Sequence, residues 1–356
     1  MTIIERYIVR FVFTGFGLVA LVLLTLMGLF DLAEQLEDVG EGAYRFNDAL
    51  WHVALVLPRR FVDLAPFIAL IGTLIGLGLL TIHHELTAMV AVGKPPYRLV
   101  VATLLAATGL VGVQAISAGW LAPFAEQTAI TKKRRLAQND ASTGAGYWAR
   151  SGNQFLRIGG LRHGRIPVDI ELFELTNKAR LGRYIHAREA DIRGPNRWLL
   201  EDAVVKRFST TGRKQEHLDS IAWQPFLDLR ELTALQMPAE SLSPFQLQAY
   251  IHELRQSDRD AQSYVLMLWR KAGDLIMTLA MGLLAVPFAT RGSPRSSLAP
   301  RLLGGALTGI GIFIADQVLV RIGSGYGFAP QTVAMTPPLV LAGAAVGLLG
   351  VSNKNG

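Results

Sequence analysis

Cysteine is absent from this 356-residue chain, which excludes disulfides, thiolate nucleophiles and cysteine-based metal sites. Charge is scarce as well. Only 18% of the residues are charged and 51% are hydrophobic, whereas an ordinary soluble domain carries about 25% charged residues. Patterns that carry catalysis are also missing. Gly93-Lys94 is followed by Pro95, and Ala88 stands where a phosphate-binding loop needs its first glycine, so ATP hydrolysis by that chemistry is excluded. The run His84-Glu85-Leu86-Thr87-Ala88 opens like a zinc-protease helix but lacks the second histidine ligand. No serine sits in a Gly-x-Ser-x-Gly elbow. Of the 7 histidines only His83 and His84 are adjacent, and neighbours in a helix do not share a face. Neither a catalytic residue, nor a resident cofactor, nor a metal site is expected.

What the chain does have is long uncharged runs. Crossing the hydrocarbon core takes about 20 apolar residues, and residues 11–30, 64–82 and 99–125 are of that kind. The first is too long for a secretory signal core and has no small-residue cleavage site after it, so it is expected to remain as a membrane helix. In the second half, residues 261–269 and 275–290 are apolar but separated by Arg270, Lys271 and Asp274. Residues 302–320 contain one acid, Asp316, and residues 333–351 contain none. Between the two apolar halves, residues 126–260 hold more than half of the charged side chains. The fold class is therefore a polytopic α-helical membrane protein with six spanning helices and an inserted β domain. Residues 1–125 carry helices one to three, residues 126–242 the β domain, and residues 243–356 a connecting helix with helices four to six.

Orientation follows from the short loops, because basic residues stay cytoplasmic. Arg6, Arg10, Lys94, Arg98, Arg291, Arg295, Arg301 and Lys354 lie on one face, opposed only by Glu5 and Glu85. The other face has the acidic loop at residues 31–48, where Arg45 is the single base. Both termini are then cytoplasmic and the β domain is outside. Lys132-Lys133-Arg134-Arg135 breaks the rule, since this basic cluster lies just beyond the third helix on the outer face. The net charge of +7 points to anionic neighbours, and nothing in the pattern points to nucleic acid.

The island reads as β structure. Residues 169–172 and 183–186 alternate polar and apolar, and residues 147–150, 155–158 and 198–208 are further strands, separated by Ser151-Gly152-Asn153, Gly194-Pro195-Asn196 and Thr210-Thr211-Gly212. Short strands at this spacing suggest a sandwich or jelly roll. A helix is expected from Ser243, as N-cap, with Pro244 at its first position, to about residue 260.

Several features have two readings. Gly72-x-x-x-Gly76 and Gly305-x-x-x-Gly309 allow close helix approach, either within the chain or to a second subunit. Arg59, Arg60 and Asp63 follow Pro58 at the outer start of helix two. The arginines either snorkel to the headgroups or face a cavity and bind phosphate bidentately. The cluster Lys132 to Arg135 is either a solvated run against anionic lipid or part of the same phosphate site. Asp316 is costly in hydrocarbon and must face protein or water, as a structural ion pair with Arg321 or a base on another helix, or as a proton relay. Residues 84–96 form either a surface connector or a docking helix whose Leu86, Met89 and Val90 enter a partner's groove while Glu85 pairs with a base.

Order and spacing along the chain resemble the permease subunits of the lipopolysaccharide exporter, the LptF/LptG family. The matching stretches are Ile68 to Gly72, Leu77 to Leu80, His84 to Gly93, Trp120-Leu121-Ala122-Pro123, Tyr147 to Phe155, and Asp316-Gln317. They look more like the G subunit than its F paralogue. The resemblance implies a transport subunit at the inner membrane of a Gram-negative bacterium, paired with an LptF-type paralogue. A dimeric LptB-type ATPase would supply the ATP and Mg chemistry, and LptC-type and LptA-type proteins would extend the periplasmic jelly roll towards the outer membrane. It further implies that the helix at Glu85, Leu86, Met89 and Val90 docks on the ATPase. Arg59 and the basic run near Lys133 fall where the family contacts lipopolysaccharide phosphates. One departure stands out: the family can place lysines after the first helix, where this chain has Asp31, Glu34, Glu37 and Asp38. The rival class is a membrane scaffold or sensor that displays a β domain without transporting anything. A secondary transporter is a further rival, with Asp316 its one deep intramembrane acid.

Overall fold

The structure is a computed structural model. It describes residues 3–40, 42–82, 85, 97–137, 147–162, 166–176, 180–194, 197–209, 212–225, 239–256, 261–290 and 298–354. The chain forms two compact units, one of Met1–Arg135 with Glu240–Gly356 and the other of Leu136–Ala239.

Six spans in the first unit are long and apolar enough to cross a membrane. They are α1 (Ile3–Glu37), α2 (Phe46–Ile82), and a third built from α3 (Tyr97–Ile116), a π-helical turn (Ser117–Leu121) and α4 (Ala122–Ala137). After a short α5 (Pro244–Gln256) come α6 (Gln262–Thr290), α7 (Leu298–Gly325) and α8 (Pro330–Lys354). Charge does not end these helices. The third span runs through Lys132–Arg135, ten residues past the edge expected from polarity, and α6 continues through Arg270, Lys271 and Asp274, because lysine and arginine are good helix formers. Helices α2 and α6 are the most buried spans, whereas α1 and α7 are the most exposed.

Apolar side chains gain little by leaving lipid for protein, so membrane helices associate through close packing. Both glycine motifs serve that end within the chain. A Cβ on Gly76 would stand 2.7 Å from Val12 Cα, and one on Gly72 would stand 2.9 Å from Phe16 Cα. Gly15 of α1 in turn faces the Gly72 backbone. Backbone meets backbone here, and Ile8, Val12, Phe16 and Val19 of α1 fill the α2 groove beside Ile68 and Leu77. Gly309 receives Leu70, with a Cβ there 2.7 Å from Leu70 Cδ2, and Gly305 receives Leu74.

Proline shapes α2 in a second way. Pro66 has no N–H, so the carbonyl of Val62 loses its usual partner one turn on. Gln114 of α3 replaces it, its Nε2 donating to the Val62 carbonyl at 3.2 Å. One turn away, Ser117 Oγ donates to the Pro58 carbonyl at 3.4 Å. The π-helical turn begins at this serine, and such turns are frequent at functional sites.

The second unit contains a single antiparallel sheet in the order β1-β2-β3-β4-β5-β6. The strands are β1 (Tyr147–Ser151), β2 (Gln154–Arg162), β3 (Ile166–Leu175), β4 (Leu181–Gly194), β5 (Arg197–Ser209) and β6 (Gly212–Trp223). Sequence reading anticipates five of these. It misses β6, a charged edge strand of the kind that discourages further pairing. One face of the sheet buries Leu156, Ile158, Ile170, Leu172, Ile185 and Trp198, among others.

Pairing is interrupted along one transverse row. The registers skip Gly159–Asp169, Asp169–Arg188, Arg188–Asp202 and Asp202–Asp219 while holding their sums on either side. Asp169 and Asp202 have φ of 53° and 54°, a left-handed conformation that aspartate tolerates better than most residues. Buried residues step by three across this row, from Pro167 to Ile170, Ala187 to Ala190 and Leu200 to Ala203. The in–out alternation is thereby reset on three neighbouring strands at one level. Asp169 is held by His186 Nε2 at 3.0 Å and Arg157 at 3.3 Å, and Asp202 by His217 Nε2 at 3.2 Å. Nearby, Tyr184 donates to Glu171 at 2.7 Å. Burial, that hydrogen bond and the Glu171 charge push its phenol up to about 12.

The chain re-enters the first unit through a 3₁₀ turn at Ala239–Ser241. A reciprocal cap opens α5: the Gln246 N–H donates to Ser243 Oγ at 3.1 Å, and the Ser243 N–H donates to Gln246 Oε1 at 2.8 Å.

The α1–α2 contact is tested by Gly76→Ala, with Gly17→Ala as the control because nothing lies within 4 Å of a Cβ there. Thermal unfolding in detergent should show Gly76→Ala destabilised by about 1–3 kcal/mol, the usual cost of overpacking. Gly17→Ala should be neutral or stabilising, by up to about 1 kcal/mol, through helix propensity.

Candidate functional site

A cavity of about 400 Å³ opens between α2, the third span, α6 and α7. Its walls carry Arg59 and Asp63 of α2, Gln114 of α3, Glu126 of α4, Arg270, Lys271 and Asp274 of α6, and Gln317 of α7. Charged side chains in a membrane helix are tolerated where they face protein or water. Here most of them answer one another.

Arg59 is the hub. Its Nε meets both Asp63 oxygens at 3.1 Å, while one terminal nitrogen donates to the Glu240 carbonyl at 2.7 Å and reaches Glu126 at 3.4 Å. Lys271 Nζ donates to the same Glu240 carbonyl at 3.2 Å. Two cations thus grip the turn by which the chain re-enters this unit, and Gln127 Nε2 holds the next carbonyl, that of Ser241, at 3.1 Å. Arg270 is paired with Asp316 at 3.0 Å. The partner of Asp316 is therefore a base on another helix, not Arg321. Gln114 is fully buried and lines the cavity; its amide nitrogen is used on α2, but its Oε1 has no partner.

The other sequence-predicted cations lie in a second cluster, at the α1–α2 turn. Arg60 makes a bidentate pair with Asp31, the Nε bond measuring 2.9 Å. Lys132 pairs with Asp48 at 2.9 Å and Lys133 with Asp38 at 2.5 Å. Tyr44 sits between these groups, its hydroxyl donating to Gln35 at 3.3 Å. Burial first, then the charges on Asp38 and Asp48, raise its phenol above the ordinary range. Asp31, Glu34 and Glu37, expected after the first helix, lie within α1, and Asp31, Asp38 and Asp48 are met by bases of the same chain. Arg134 and Arg135 continue α4 in the same basic run. So the structure separates Arg59 from Arg60: one lines the cavity and the other closes the acidic turn.

At the opposite end of α2, Glu85 accepts a hydrogen bond from Tyr7 Oη at 3.2 Å. Leu86, Met89 and Val90 lie outside the described residues. Sequence reasoning passes over Gln114, Glu126, Lys271 and Asp274 as site residues. Lys271 and Asp274 leave a signal, since they interrupt an apolar run. Asp274, like Asp63, Glu126 and Asp316, is an acid inside a membrane span. Gln114 and Glu126 leave none that distinguishes them from other polar residues.

The family model for "Lipopolysaccharide export system permease LptF/LptG" matches residues 6–350. This chain belongs to the LptF/LptG family. Among its relatives is the lipopolysaccharide export system permease protein LptG of Escherichia coli K12, 26% identical over 340 residues, 94% of each chain. The same-named protein of Haemophilus influenzae is 28% identical over 349 residues, 95% of each chain. This LptF/LptG-family chain is a membrane transport subunit, and its six spans and inserted six-stranded sheet account for almost all of the matched length.

The Arg270–Asp316 pair yields a test. Removing one partner of a buried pair leaves an uncompensated charge, at a cost of about 3–5 kcal/mol. Arg270→Leu should therefore lower stability in detergent markedly, and the double variant with Asp316→Leu should recover much of the loss. Equal instability of the single and double variants would show that the pair is not what holds α6 to α7.

Proposed function

We propose that this chain is the G-type permease subunit of an ATP-driven exporter. It takes lipopolysaccharide from the outer leaflet of the inner membrane and passes it through the β domain towards the outer membrane. Family membership across nearly the whole chain carries the reading, and the charged cavity walled by Arg59 supports it. Positive-inside asymmetry of the short loops supports cytoplasmic termini and a periplasmic β domain. The exposed apolar faces of α1 and α7 suit lateral contact with an LptF-type paralogue. ATP and Mg belong to a dimeric LptB-type ATPase, with Glu85, Leu86, Met89 and Val90 as the docking segment. LptC-type and LptA-type proteins continue the bridge.

Arg59, Arg60, Lys132, Lys133, Arg134 and Arg135 are the proposed contacts to cargo phosphates. Arg59, Arg60, Lys132 and Lys133 each already hold a carboxylate. A phosphate must therefore compete with that carboxylate or share its cation. Guanidinium suits this exchange, since it binds either oxyanion bidentately.

Two measurements test the reading. Site-specific crosslinking of lipopolysaccharide in membranes should fall about tenfold in Arg59→Glu with Arg60→Glu, the scale of one lost charge-assisted contact. Asp38→Asn, which releases Lys133, should raise it. Unchanged crosslinking in both would remove these cations from the cargo path. Separately, Glu85→Lys should reduce co-purification of the ATPase while leaving membrane insertion intact; full retention would exclude the docking role.

A further inference from the structure

The ion pairs of the cavity do not use all of its charge. Arg59 is answered by Asp63 and Glu126, and Arg270 by Asp316. Apart from the carboxylate of Glu240, which is exposed, two groups of opposite sign remain, both on α6. Among the described residues, Lys271 has a neutral carbonyl as its hydrogen-bond partner and no ion pair. Among the described residues the Asp274 carboxylate likewise has neither a hydrogen bond nor an ion pair. Both line the cavity, together with Gln114, whose buried Oε1 is a third unanswered group and an acceptor.

A half-buried charge without a counter-ion is costly, as is a buried acceptor without a donor, and the Lys271, Asp274 and Gln114 groups around one cavity describe what would complete it. A bare anion would satisfy Lys271 but would face the Asp274 carboxylate and the Gln114 carbonyl. A bare cation would meet Lys271. A group carrying both signs satisfies all three. Residues three apart on a helix share a face, with Cβ atoms about 5–6 Å apart, the scale of a phosphate and an amine two carbons away. A volume of about 400 Å³ lies in the ordinary range for small-molecule sites.

We propose that this cavity binds a zwitterionic headgroup, a phosphate ester bearing a primary ammonium. Its oxyanion lies on Lys271, and its ammonium lies between the Asp274 carboxylate and Gln114 Oε1. The proposal rests on the reading of the cavity as a lipid site and names the headgroup class it selects. Two sources have this chemistry: an aminophospholipid of the surrounding membrane, and a lipopolysaccharide whose phosphates carry amine substituents.

The full-length chain, purified in detergent, is offered equal amounts of phosphatidylethanolamine and phosphatidylglycerol, and bound lipid is counted by native mass spectrometry. A second arm offers lipopolysaccharide with and without amine-substituted phosphates. Wild type should prefer the amine-bearing form in at least one arm, and that arm identifies the source. Asp274→Asn should reduce the preference about tenfold, the scale of one charge-assisted contact, without lowering retention of phosphatidylglycerol. Asp274→Glu, which keeps the charge, should retain the preference, separating this effect from misfolding. Lys271→Gln should lower retention of both lipids. An absence of amine preference in both arms, or a preference indifferent to Asp274→Asn, overturns the proposal. Lipopolysaccharide retained with no amine preference in either arm defeats the headgroup assignment alone, whereas no retention of lipopolysaccharide in any form defeats the export reading too.

Discussion

A charge placed among lipid tails must be answered by another group, and the membrane unit is organised around that requirement. Arg59 answers it three times over, with a carboxylate on its own helix, another on α4 and a carbonyl on the re-entry turn. Segments far apart in sequence are tied at one point as a result. Such networks add little net stability, because desolvation offsets most of the attraction. What they contribute is a unique arrangement: an α2 turned by one residue would keep Asp63, which turns with it, but would lose Glu126 and the Glu240 carbonyl. Helix packing obeys a parallel rule, since lipid offers no reward for hiding leucine. Gly72 and Gly76 bring the α1 and α2 backbones together instead.

Polar groups that would otherwise be orphaned are treated in the same way. Pro66 frees a carbonyl in α2, and Gln114 crosses from α3 to take it. The acids at the end of α1, in the turn after it and at the start of α2 would repel one another, yet Arg60, Lys132 and Lys133 pair with three of them, Asp31, Asp48 and Asp38. A basic cluster that violates the topology rule therefore has a counterpart within its own chain. Under the proposed function those same bases meet the cargo phosphates, and the acids would compete with the cargo for them.

Legibility in the sequence follows the range of each interaction. Spans of uniform hydropathy are local and readable, as are five strands, two by clear alternation and three between turn signals, and the Ser243 cap. β6 was hidden because its residues 213–217 are almost uniformly polar; its pairing with β5, not its own pattern, makes it a strand. Ion-pair partners were illegible for the same reason. Asp316 was visibly in need of a base, but only tertiary structure selects Arg270 over Arg321. The cavity was the least legible feature. It depends on which faces of four spans converge, and the clue available, three charges interrupting α6, told of cost without telling of company.

The interrupted row in the sheet has a consequence for how this domain can change over time. Asp169 and Asp202 reset the alternation of β3 and β5, and β4 makes the same reset opposite them. Loss of Asp169 alone would leave β3 one residue out of step with β2 and β4 from that level onward, turning its outward side chains inward. A single-residue deletion on one of these strands therefore costs its register, while a matched loss across the whole row, Gly159 of β2 and Asp219 of β6 included, would restore an uninterrupted ladder. Changes of length in this domain are therefore expected in its turns, or on several strands at once.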